Sequence, residues 1–159
     1  MMITLKLVAL LVIANGAPMV LSVVLGNRGR PVDGGWVLAD GQPVLGASKT
    51  WRGLAIAVVT TALVAWLLGL GLVFGACFGL VAMAGDLLSS FIKRRLGLVA
   101  SDRARWLDQV PEALLPSLLA QWWLGVGWGV VIAVTLIFAA INIWGSPFLH
   151  RWGIRHQPH

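Results

Sequence analysis

A chain of 159 residues that is 58% hydrophobic and 11% charged has more apolar surface than a soluble domain of its size can bury. Its solvent is therefore largely lipid. The net charge of +6 does not point to nucleic acid, because the basic residues are confined to a few short segments between apolar runs.

The first apolar run covers residues 3–25. It starts like a leader, with Lys6 early and small residues at Ala14, Asn15 and Gly16, but its length fits a complete span. Asn15-Gly16-Ala17-Pro18 predicts a mid-membrane kink, with Asn15 bonding a neighbouring helix. The connector 27–52 is rich in Gly and Pro and carries Arg28, Arg30, Lys49 and Arg52, which assigns it to the cytoplasm. Runs at 54–70 and 72–92 meet in an uncharged hairpin at Gly69-Leu70-Gly71. A second basic connector, 93–109, holds Lys93, Arg94, Arg95, Arg103 and Arg105. The fourth run, 110–124, has Pro111 in its first turn, where proline is tolerated. An uncharged turn leads to the fifth run, 130–144, and a basic tail.

Two loops and the tail are basic, and the hairpins opposite them are uncharged. The expected fold is all-α: one polytopic membrane domain over residues 1–159, a bundle of five transmembrane helices. The N-terminus lies outside and the C-terminus in the cytoplasm. Lys6 is the one basic residue on the uncharged side. Trp36, Trp51, Trp106 and Trp144 fall near the ends of apolar runs and read as interfacial anchors. A single cysteine, Cys77, excludes an intramolecular disulfide. The three histidines, all near the C-terminus, give no Cys/His set for zinc.

Asp86 carries the most information. A carboxylate in an apolar run is costly and marks a functional site by default. Helical spacing puts Asp86, Ser89, Ser90 and Lys93 on one stripe. A carboxylate, two hydroxyls and an ammonium just below a membrane surface suit a metal and phosphate. The plain alternative pairs Asp86 with Lys93 or an arginine for packing, which seldom justifies the cost of the charge. The other acids, Asp33, Asp40, Asp102, Asp108 and Glu112, lie in or beside the basic loops. Acids and bases thus converge on one membrane face, where a multiply charged soluble substrate would meet a lipid headgroup.

In the first loop, Gly41 and Gly46 have the spacing of a P-loop. Ala47-Ser48 then separates Gly46 from Lys49, and no strand precedes, which excludes that motif. Two readings stay open: a flexible turn that brings Lys49, Thr50 and Arg52 onto phosphates, and a plain basic flank of a span. Asp108 reads either as the N-cap of the fourth span or as a metal ligand facing Asp86. Two carboxylates among Lys and Arg suit Mg²⁺.

Lys49-Thr50-Trp51-Arg52-Gly53, then the segment from Gly85-Asp86 through Ser89-Ser90 and Lys93-Arg94-Arg95 to Leu98, then Leu107-Asp108-Gln109, resemble the CDP-archaeol synthase family. Asn15-Gly16-Ala17-Pro18 is similar too. That family is a small branch of the CTP-dependent phosphatidate cytidylyltransferases, and the resemblance covers almost the whole chain. It implies an enzyme of the cell membrane, its active site facing the cytoplasm, in phospholipid biosynthesis. CTP and a membrane lipid phosphate would give a CDP-activated lipid and pyrophosphate, with Mg²⁺ required. By similarity, Asp86 and Asp108 hold the metal. Lys49, Thr50 and Arg52 handle the nucleotide, and Ser90, Lys93 and Arg94 face the phosphates. Lys93 joins Asp86 and Asp108 as a catalytic residue. Ser48 stands where archaeal members carry glycine. The lipid is left open between an archaeol-type ether, a diacyl phosphatidate and an isoprenoid phosphate. The alternative function is a non-enzymatic membrane adaptor or channel-like protein whose loops bind anionic lipid. A homodimer is compatible with either.

Overall fold

The computed structural model describes residues 1–26, 29–98 and 105–151, without the side chains of residues 25, 105–108 and 144–151. Five α-helices make up most of it: α1 (Met2–Leu25), α2 (Trp51–Leu67), α3 (Leu72–Arg95), α4 (Arg105–Leu124) and α5 (Trp128–Arg151). Each packs on its neighbour in sequence, and α5 returns against α1 to close the ring. There is no strand among the described residues. Two isolated β-bridges, Pro31 with Thr50 and Val37 with Pro43, lie in the loop between α1 and α2.

The bundle is apolar inside and out. Phe74, Phe78, Phe138, Leu7, Leu10, Leu11 and Val134 fill the interior. Val20, Val23, Val59, Leu63, Leu80, Ile132 and Leu136 face outward. An exterior of this kind needs lipid as its solvent. Two of the described helical stretches, Met2–Val24 and Leu72–Arg95, have both the length and the hydropathy of a complete span. Only 28% and 44% of their most apolar windows are buried, which distinguishes them from the core helices of a soluble protein. Helix α2 is also apolar, but its 17 residues reach only about 26 Å by helix rise.

Helix α3 contacts its neighbours through glycine. A Cβ on Gly75 would lie 2.4 Å from the Ala65 Cβ, and one on Gly85 2.5 Å from the Pro111 carbonyl oxygen. Backbones meet directly at both places, as in other membrane bundles where small residues supply the contact.

Several helix ends differ from those read in the sequence. Helix α3 continues past Ile92 to Arg95, because Lys93, Arg94 and Arg95 complement the negative end of its dipole. It stops in a Schellman turn: Gly97 N–H donates to the Arg94 carbonyl and Leu98 N–H to that of Lys93. Gly97 has φ +71°, which suits glycine. Helix α4 begins at Arg105, well before the expected start at Val110. Asp108 is therefore inside its first turn and is not its N-cap.

Two polar groups within the apolar runs have local roles. Lys6 Nζ donates to the Leu68 carbonyl at 2.7 Å, capping the carbonyl end of α2. The start of α1 therefore lies at the end of the bundle that holds the α2–α3 hairpin. Asn15 was expected to bond a neighbouring helix. Its Nδ2 instead donates to the Leu11 carbonyl of its own helix at 3.1 Å. A short amide reaches the carbonyl four residues back without needing a partner helix.

Candidate functional site

At the opposite end from Lys6, the loop before α2 folds onto the last turns of α3. Asp86 and Lys49 meet there. Lys49 Nζ lies 2.6 Å from both carboxylate oxygens of Asp86. The side chains are 24% and 20% exposed for Lys49 and Asp86, so the pair is partly open rather than sealed in the dry interior. Beside it, the Gly85 contact brings the backbone of α4 at Pro111 and Glu112 flush against α3.

The loop that delivers Lys49 is held by a set of hydrogen bonds. Lys49 N–H donates to the Gly46 carbonyl, and the Lys49 carbonyl accepts from Val32 N–H at 2.7 Å. Trp51 N–H reaches the Arg30 carbonyl. Thr50 Oγ1 accepts from Gly53 N–H at 3.2 Å and caps α2. A small hairpin fills the space between, with Val44 N–H donating to Trp36 and Leu38 N–H to Gln42.

Two carboxylates organise this loop. Asp33 Oδ1 accepts from Gly35 N–H at 3.0 Å, and Oδ2 accepts from Leu45 N–H at 2.8 Å and Gly46 N–H at 2.9 Å. Burial pushes the Asp33 carboxyl up, but the amide donors Gly46, Gly35 and Leu45 together outweigh it and hold it below the usual range. Asp40 accepts from Gln42 N–H and pairs with Arg95. The Gln42 amide, against a smaller opposing effect of desolvation and with help from Arg95, also lowers the Asp40 carboxyl.

The end of α3 pins the loop from below. Arg94 is buried; its Nη1 donates to the Leu98 carbonyl at 2.8 Å and its Nε to that of Leu45 at 3.5 Å. Its guanidinium also packs against Gly46, where an added Cβ would lie 3.3 Å from Nη2. Arg95 Nη2 donates to the Pro43 and Gln42 carbonyls, and the guanidinium lies over the Phe91 ring at 5.3 Å.

The residues singled out in the sequence fall into distinct positions. Asp86 and Lys49, expected as a metal ligand and a phosphate contact, are in direct contact. Lys93 is half-buried two turns along α3 from Asp86, and Arg52 is exposed in the first turn of α2. Ser89 and Ser90 are buried, with Ser89 Oγ donating to the Gly85 carbonyl, so the stripe is open only at Asp86 and Lys93. Arg94 turns to loop carbonyls. The Asp108 side chain lies outside the described residues. Asp33, Asp40 and Arg95 were not singled out, although Asp33-Gly34-Gly35 and Asp40-Gly41 carry the usual signature of aspartate-led turns.

The donor set is compatible with a divalent cation. A cation, the Lys49 ammonium, already rests on both oxygens of Asp86. Magnesium needs one or two carboxylates and completes its shell with water and phosphate oxygens. Among the described residues no three His, Cys, Asp or Glu side chains cluster.

The CarS-like family model, CDP-archaeol synthase, matches residues 1–76 and 68–159. The CDP-archaeol synthase of Hyperthermus butylicus is 40% identical over 136 residues, 82% of this chain and 77% of that protein. That of Methanopyrus kandleri is 38% identical over 133 residues, 77% of this chain and 75% of the relative. The fold is also similar to a solved structure described as an intramembrane enzyme for archaeal membrane lipids biosynthesis. The TM-score is 0.67 at 30% identity, covering 86% of this chain and 90% of the other. Sequence over the whole length and fold at that identity agree: the chain belongs to the CDP-archaeol synthase family, a family of membrane enzymes.

Proposed function

We propose that this protein transfers the CMP group of CTP to the phosphate of an archaeal diether lipid, giving a CDP-activated lipid and pyrophosphate. The observation that carries this is the Asp86–Lys49 contact. One carboxylate and one ammonium, from different segments, converge with both side chains still partly exposed. The names of the relatives favour the ether lipid over a diacyl or isoprenoid phosphate. An adaptor role is set aside because the family is one of enzymes.

In the reaction, an oxygen of the lipid phosphate attacks the α-phosphorus of CTP. The bond from that phosphorus to the bridging oxygen of the β-phosphate breaks, and pyrophosphate leaves. The attacking oxygen needs no general base, because a phosphate monoester loses its second proton near a pKa of about 6. What the protein must supply is alignment and charge neutralisation. Lys49, Arg52 and Lys93 would offset the phosphate charge, with Thr50 and Ser90 beside them. Arg94 would contribute by holding the loop rather than by reaching substrate. Asp86 and Asp108 would hold Mg²⁺, which would neutralise charge on the bound phosphates. The loop end of the bundle is the basic one and Lys6 marks the other, so the site would face the cytoplasm. Five spans with the N-terminus outside would follow, within one membrane domain over residues 1–159.

The test uses purified protein, Mg²⁺, labelled CTP and three lipid phosphates: a diether glycerol phosphate, a diacyl phosphatidate and a polyprenyl phosphate. Lipid-soluble label is expected with the diether, with equimolar pyrophosphate. No lipid-soluble label from any of the three would contradict the reading.

A further inference from the structure

We infer that Asp33 is a positioning residue for nucleotide handling, its carboxylate fixing the turn that carries Lys49 to Asp86. The inference rests on the cytidylyl-transfer reading above. Asp33 ties the two ends of the loop hairpin together. Its Oδ1 binds Gly35 N–H nearby, and its Oδ2 binds the successive N–H groups of Leu45 and Gly46, twelve and thirteen residues on.

From Gly46 the bonds run straight to the site. The Gly46 carbonyl accepts from Lys49 N–H, the Lys49 carbonyl accepts from Val32 N–H, and Val32 precedes Asp33 in the chain. These links form a closed ring around the Lys49 backbone. Nζ of the same residue meets both oxygens of Asp86. Gly46 has φ +100°, and the Arg94 guanidinium packs on it, so the turn has little room to re-form in another shape. Asp40, the nearest acid in sequence within this loop, is occupied by Arg95 and Gln42 N–H.

The arrangement also redirects the chemistry. Successive backbone N–H groups often form a nest that binds an anion such as phosphate. In this turn the protein's own carboxylate takes that place. Phosphate contact then passes to side chains beyond the turn, Lys49 first. Losing Asp33 would leave two part-buried N–H groups without their acceptor and Lys49 without a fixed approach. Nucleotide binding should suffer most, since the lipid arrives from the bilayer.

The test compares Asp33→Ala and Asp33→Asn with the wild type, full length, in Mg²⁺, CTP and diether glycerol phosphate. Helical circular dichroism and thermal unfolding are read alongside. For Asp33→Ala, KM for CTP should rise about tenfold or more, with kcat and KM for lipid within about threefold. Asp33→Asn should fall between, since its amide keeps one acceptor oxygen. If Asp33→Ala does not fold, Asp33→Asn is read alone, with a smaller rise in KM for CTP expected. Unchanged KM for CTP in a folded variant, or equal losses toward both substrates, overturns the role of Asp33 and leaves the transferase reading intact. A wild type that makes no CDP-lipid overturns the transferase reading, and the role of Asp33 falls with it.

Discussion

Asp86 and Lys49 neutralise each other at the point where a hydrated, charged substrate would meet the membrane. An unpaired carboxylate on α3 would be expensive in lipid, and an unpaired ammonium beside it would gain little. Together they are paired yet still partly exposed, and on the proposed reading each would exchange its partner for metal or phosphate. Around them, Asp33 and Asp40 stabilise the loop through amide hydrogen bonds, and the sign of the pH effect follows. Both carboxyls are held below their ordinary value, so their contribution is complete above the unfolded pKa of about 3.9. It is lost as pH falls through the lower folded value. In an NMR titration, the Leu45 and Gly46 amide resonances should therefore shift together with a midpoint below about 3.9. A midpoint above that would contradict the loop geometry.

At the scale of elements, the bundle depends on close contacts between α3 and its neighbours. Gly85 is the critical one, since Pro111 and Glu112 present backbone there and cannot give way as a flexible side chain would. Gly85→Ala should destabilise by about 1–3 kcal/mol, the usual cost of overpacking. Gly16 offers the contrast: nothing lies within 4 Å of its Cβ position, and it is inside α1. Gly16→Ala should be neutral or stabilise by about 0.4–1 kcal/mol. Thermal unfolding of the two variants in the same detergent checks both. A Gly85→Ala protein as stable as Gly16→Ala would show that the α3–α4 contact is looser than described.

For the whole molecule, apolar runs were enough to read an all-helical membrane protein, and the cost of Asp86 was enough to single it out. Helix ends were harder. Lys93, Arg94 and Arg95 look like the start of a loop in sequence, yet they continue α3 because cations suit a helix C-terminus. Long-range partners were not legible. Lys49 meets Asp86 only because the loop hairpin has a particular shape, and that shape depends on Asp33 reaching Leu45 and Gly46. Lys6 likewise looked misplaced until its bond to the Leu68 carbonyl tied α1 to the far end of α2. Periodicity reports which face of a helix is apolar. It carries no information on which loop covers which helix end.

The central claim is that cytidylyl transfer takes place where Asp86 and Lys49 meet. Asp86→Asn keeps the size of the side chain and removes its charge. Measured beside the wild type with CTP and a diether glycerol phosphate, the variant should still fold and should form CDP-lipid at least about 100-fold more slowly. A folded Asp86→Asn protein that works at the wild-type rate would contradict the assignment.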